Sequence, residues 1–176
     1  MTARILITVF LFSVARMAIG QSASNTKTFH AHEQSCHFTG TTEYEYLIQL
    51  KADSSVTFIV YSTDFRSLPD KILVKEIYKG RYSSNGNTIK ATFITYNSLT
   101  KKSGDKSKLA STKQGQPNKF NQVILFNLTE QNLDPLNSYI PKMTKTSPAI
   151  YDWLGNKFDL WQSNKIVGPG SFGQDN

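Results

Sequence analysis

Every histidine of this 176-residue chain (His30, His32 and His37) and its only cysteine, Cys36, fall in the stretch HAHEQSCH. Imidazole and thiolate are good ligands for zinc, copper and nickel. On an extended segment His30 and His32, two positions apart, share a face. Cys36 and His37 would then complete a tetrahedral set. The spacing is neither that of a zinc finger nor the His-Glu-x-x-His of a metalloprotease, because position 36 is cysteine and the next histidine is at 37. A single cysteine also allows no intramolecular disulfide. These residues are therefore expected in a solvated leader, 21–40, with metal handling as the alternative use. No cofactor is expected beyond zinc, copper or nickel held by that cluster.

Other constellations carry less. Asp152 and Asp159 would face each other in a terminal hairpin about Gly155-Asn156, but no histidine or third carboxylate is placed to support them. Nucleophile elbows, phosphate loops and dinucleotide fingerprints are missing. With all histidines ahead of the first expected strand, the reading is of a protein that is not an enzyme.

Residues 1–20, MTARILITVFLFSVARMAIG, have an early Arg4, an apolar run from Ile5 to Ala15, and small residues at Ala18 and Gly20. This is the layout of a cleaved signal peptide, and it predicts a secreted or periplasmic protein. No other stretch approaches the roughly 18 apolar residues of a membrane helix, so no transmembrane span is expected in the mature chain. Asn127-Leu128-Thr129 fits the N-glycosylation pattern, but its place in an apolar run favours a chance match.

The formal net charge is +7. Much of it lies in KKSGDKSKLASTKQGQPNK (101–119), which has six lysines against one aspartate. That makes 97–122 a flexible lysine-rich loop and a candidate contact for an anionic surface. It lacks arginine, and it has no aromatic residue before Phe120, so specific nucleic-acid binding is not expected.

These features would be carried by a single β domain, 41–162, followed by a mobile tail, 163–176. Thr41 to Thr63 reads as two strands about a polar turn at Lys51 to Ser55, with Tyr44, Tyr46, Ile48 and Leu50 alternating with Glu43, Glu45, Leu47 and Gln49. Around Asn85-Gly86 a type I′ loop would set Tyr82 opposite Ile89, Gly80 opposite Ala91 and Tyr78 opposite Phe93. Phe120 to Leu128 is expected as a buried strand, Asp134-Pro135 as a helical turn with Asp as its cap, and Ile150 to Trp161 as a hairpin or bulged strand. Six or seven strands with no long helix predict a mainly β protein. A small antiparallel meander barrel is preferred, with a β-sandwich as the alternative.

YLIQLKADSSVTFIVYS, YKGRYSSNGNTIKATF and YDWLGNKFDLWQ, taken together, resemble the small lipocalin-like domains of bacterial cell-envelope proteins. The matching residues are Asp53 and Phe58, then Gly80, Tyr82, Asn85, Gly86 and Ile89. The resemblance implies an exported lipocalin-like barrel. Its relatives sense copper stress or surface contact through a Cys-x-x-Cys pair and a lipidated cysteine, which this chain lacks, so that activity is not carried over. The expected function is non-enzymatic binding of a small apolar ligand or an envelope component.

Overall fold

A computed structural model of the protein describes residues 26–37, 40–65, 72–102, 109–117 and 122–160. The expected signal peptide and tail lie outside the described residues. Nine strands and one helix are present among them: β1 (Lys27–His37), β2 (Gly40–Leu50), β3 (Ser55–Asp64), β4 (Ile72–Asn85), β5 (Thr88–Lys102), β6 (Leu109–Gly115), β7 (Val123–Leu128), β8 (Asn132–Pro135), β9 (Met143–Thr146) and α1 (Ala149–Leu160). All pairings are antiparallel. β1 to β5 form a meander, β5 passes to β7, and β9 returns to β1, so eight strands close a barrel. β6 lies beside the second half of β5, outside that ring. The fold is the expected mainly β antiparallel barrel, and it has no unclosed two-sheet core.

Alternation builds the interior. Phe29, Ile48, Leu50, Val56, Phe58, Tyr78, Ile89, Ala91, Phe93, Ile124, Phe126, Leu133 and Met143 pack together inside the barrel. Each large side chain so buried contributes about 1.5–3 kcal/mol. The turn between β2 and β3 is the expected one. Ser54 takes a φ of 62°, and Asp53 accepts hydrogen bonds from the amide and hydroxyl of Ser55 at 3.0 and 2.6 Å.

The β4–β5 hairpin forms with a different register. Its loop is Gly86-Asn87, of which only Gly86 has positive φ (57°), the pattern of a loop with glycine first. Tyr82 therefore faces Ala91, and Gly80 faces Phe93. The shift is by two residues, so the apolar face is preserved. A bulge follows between Lys79 and Gly80, after which Tyr78 meets Tyr96. Gly80 is required there, because a Cβ would lie 1.9 Å from the Thr92 carbonyl oxygen.

Four expectations are corrected. The leader is a barrel strand at Lys27–His37, because Phe29 is buried inside and the segment pairs with all of β2. Asp134-Pro135 ends strand β8 instead of capping a helix, since Leu133 is needed in the core and pairs with Leu128 and Met143. The lysine-rich loop is partly sheet, because Thr100 and Lys101 continue β5, and Leu109–Gly115 pairs with it as β6.

The fourth is the terminal hairpin, which is helix α1. Ser147 caps it, its Oγ accepting the Ala149 amide at 3.3 Å, with Pro148 at the first helical position. Ile150, Leu154 and Phe158 recur every four residues, and with Tyr151 they pack on Leu47, Ile59, Tyr61, Leu73 and Ile77 outside the barrel. Lys101 donates from its buried ammonium to the Phe158 carbonyl at 2.5 Å, which favours the helix C-terminus. Asp152 is exposed and lies two turns from position 159, so no facing pair exists. No helix among the described residues is long and apolar enough to cross a membrane.

Candidate functional site

β7, β8 and β9 are only six, four and four residues long, and they wall one end of the barrel. β9 reaches β1 only at Thr28 to His30, and β7 reaches β5 only at Thr88 to Thr92. Beyond those contacts the inner faces of β1 to β5 continue without a facing short strand among the described residues. Register sorts them into rows across the five strands. Phe29, Ile48, Phe58, Tyr78 and Tyr96 make the floor. Above them come Ala31, Tyr46, Val60, Glu76 and Ser98, then Glu33, Tyr44, Ser62, Val74 and Thr100. Polarity rises row by row away from the short strands.

Aromatic rings connect these rows. Tyr44 stacks on Tyr46 with centroids 5.9 Å apart, Tyr46 on Phe58 at 6.5 Å, and Phe58 meets Tyr78 at 5.7 Å, which meets Tyr96 at 5.0 Å. Offset and tilted geometries of this kind suit the ring quadrupoles. Two carboxylates close the arc. Tyr46 donates its hydroxyl to Glu33 Oε2 at 3.3 Å, and Tyr96 donates to Glu76 Oε1 at 2.6 Å.

Neither Glu33 nor Glu76 forms an ion pair among the described residues. Burial, followed by the charge and hydrogen bond of Glu33, pushes the Tyr46 hydroxyl well above the ordinary tyrosine range, and Glu76 adds to this. Burial and the bond to Glu76 push Tyr96 upward as well. The phenols therefore remain neutral donors beside charged acceptors. Thr42, farther along the same inner face of β2, is buried, and its Oγ1 has no hydrogen-bond partner.

Of the four residues expected as metal ligands, only His30 and His32 come together. They lie on the outer face of β1, where Glu45 of β2 receives both rings: His30 Nε2 is 2.6 Å from Oε2, and His32 Nδ1 is 3.1 Å from Oε1. Glu45 is nearly buried, so two imidazoles satisfy a carboxylate that would otherwise be costly to cover. Cys36 is exposed, four positions beyond His32 on the strand, or about 13 Å away. It cannot share a metal with His30. His37 is the last residue of β1, adjacent in sequence to Cys36 and so on the opposite register. No group of three histidine, cysteine, aspartate or glutamate side chains is arranged to hold a metal ion among the described residues.

A separate outer groove of about 350 Å³ crosses β4, β5 and β6 and is lined by Ile77, Lys79, Thr95, Tyr96, Asn97, Gln114 and Gly115. Its volume is at the small end of ligand sites. The Asn97 side-chain oxygen is buried there without a hydrogen-bond partner. Tyr96 borders the groove, while its ring packs on Tyr78 and its hydroxyl donates to Glu76.

The fold and site together define a closed antiparallel barrel with one packed end and one polar, aromatic end. No protein-family model and no curated protein matches the chain. Sequence reasoning did not single out Glu33 or Glu76. The available signal was β1 itself, whose inner positions Phe29, Ala31, Glu33 and Ser35 pass from apolar to polar along one face.

Proposed function

We propose that this is an exported, non-enzymatic, lipocalin-like protein that carries a small ligand inside its barrel, above the floor row of Phe29, Ile48, Phe58, Tyr78 and Tyr96. The observation that supports this reading is the inner face above the floor. It presents half-buried Tyr44, Tyr46 and Tyr96 with Glu33 and Glu76, a mixture of apolar walls and a few polar groups that suits a ligand site better than a packed core. Export rests on residues 1–20 of the sequence.

The test is fluorescence titration of the purified chain with N-phenyl-1-naphthylamine, beside an Ala31→Trp variant that fills the second row. Saturable binding to the parent chain, lost in the folded variant, supports the reading. Equal binding to both contradicts it.

A second reading, metal handling, is favoured by His30 and His32 converging on Glu45 at 2.6 and 3.1 Å. It would take zinc, copper or nickel without Cys36. Deleting residues 21–37 would remove β1 from the barrel, so point variants must test it.

A further inference from the structure

We infer that the outer groove across β4, β5 and β6 is a second binding site, for a pyranose-sized hydroxylated ring that carries one carboxylate. This goes beyond the carrier reading and does not rest on it, because the groove lies on the other face of the sheet.

Register assembles the site. Ile77 pairs with Asn97 and Asn97 with Gln114, so β4, β5 and β6 set these side chains in one row on the outer face. Lys79 and Thr95, paired with each other, make the next row, about 7 Å along the strands. Together they wall the groove of about 350 Å³, with Gly115 on its β6 side. A Cβ built on Gly115 meets no atom within 4 Å, and its φ is not positive. Neither packing nor backbone conformation requires glycine there; its missing side chain leaves room for a ligand to approach the strand.

The polar groups set the ligand. Asn97 Oδ1 is buried without a donor, a costly state for an acceptor. The χ2 torsion of asparagine is soft, so a hydroxyl entering the groove can draw that oxygen onto itself. The Asn97 and Gln114 amides each donate and accept, the complement of neighbouring hydroxyls, which do both as well. Half-buried Ile77 offers the ring an apolar surface in the same row. Among the described residues lining the groove Lys79 alone is charged, and Glu76 is turned to the inner face, where it accepts from Tyr96. The charge of the groove therefore favours an anionic substituent. An acceptor-only anion would leave Asn97 without a donor, and a neutral sugar would leave Lys79 unmatched. A hydroxylated ring with one carboxylate engages both rows.

Amide chemical-shift titration of the full chain with galacturonate, and with its neutral analogue galactose, tests the inference. Both should shift Lys79, Thr95, Asn97, Gln114 and Gly115, and galacturonate should bind about fivefold more tightly, the upper range for an exposed ion pair. Lys79→Met should remove that preference and keep galactose binding. Asn97→Leu should weaken both sugars about fivefold, through the lost hydrogen bond. Gly115→Trp should abolish both while the remaining amides keep their parent shifts, which shows that the variant is folded. Lys113→Met, on the opposite face of β6, should change nothing. Tighter binding of a galacturonate tetramer than of the monomer assigns the site to a polysaccharide chain, and equal binding assigns it to the free acid; either supports the site. Equal affinity for galacturonate and galactose, unchanged binding in Gly115→Trp, or no shift in the groove with either sugar would overturn the inference. The carrier reading stands or falls separately, on N-phenyl-1-naphthylamine.

Discussion

Tyr46 of β2 donates its hydroxyl across the strand pair to Glu33 of β1, at 3.3 Å, on the inner face of the barrel. Burial and the neighbouring carboxylate both oppose ionisation of that phenol. The same arrangement recurs at Tyr96 and Glu76. In absorbance titration at alkaline pH, Tyr46 and Tyr96 should therefore ionise above the ordinary tyrosine value of about 10. Glu33→Gln should bring Tyr46 down part of the way, because burial remains. Ionisation of either at the ordinary value in the folded protein would contradict this.

Linkage gives the same pair a consequence for stability. A hydroxyl that ionises later in the folded chain than in the unfolded one stabilises the fold fully below about pH 10. That contribution declines as pH rises above this value. Urea unfolding at pH 9 and pH 11 should show the loss, and Tyr46→Phe should make it smaller.

Gly80 tests the bulge. Replacing it with alanine places a methyl against the Thr92 carbonyl and the Phe93 Cα, both backbone atoms that cannot turn aside. Overpacking of this sort costs about 1–3 kcal/mol, and a forced register change would cost more. Gly155→Ala, where no atom lies within 4 Å of the added Cβ, should be harmless or slightly stabilising. Chemical denaturation measures both.

Helix α1 should be held by its inner face alone. Phe158→Ala should cost about 3–5 kcal/mol and Leu154→Ala about 2–5 kcal/mol, since both are essentially buried against Tyr61, Leu47 and Leu73. Trp153 is half-exposed and meets only the Lys157 ammonium over its ring at 3.8 Å among the contacts described, so Trp153→Ala should cost at most about 1 kcal/mol.

Metal titration separates two versions of the histidine cluster. If zinc or nickel binds, the site should be lost on replacing His30 and His32 together with alanine and should be unaffected by Cys36→Ser. Loss in Cys36→Ser would restore the ligand set first read from the sequence and contradict the observed spacing.

The barrel was legible where alternation is clean. Tyr46, Ile48 and Leu50 against Val56, Phe58 and Val60 gave β2 and β3, and the turn chemistry of Asp53 and Ser54 marked their boundary. β1 was obscured because its inner positions become polar at Glu33 and Ser35, beyond the apolar rows of the core. Helix α1 was hidden by Gly155-Asn156, a good turn pair that the helix absorbs because Leu154 and Phe158 on either side are buried. The Ser147-Pro148 start carries the same cap-and-proline chemistry that was misassigned to Asp134-Pro135, where pairing in β8 overrides it. The His30–Glu45–His32 contact could not be foreseen, because it depends on β1 being a strand with this register.

The central claim is that the ligand binds inside the barrel, above the floor row. It is tested most directly by backbone amide chemical-shift mapping of the labelled chain titrated with N-phenyl-1-naphthylamine. The shifts should concentrate at Ala31, Glu33, Tyr44, Tyr46, Val60, Glu76 and Ser98, and Phe126, Leu133 and Met143 at the packed end should stay still. Shifts confined to Lys79, Thr95, Asn97 and Gln114 would place the ligand in the outer groove and contradict the account.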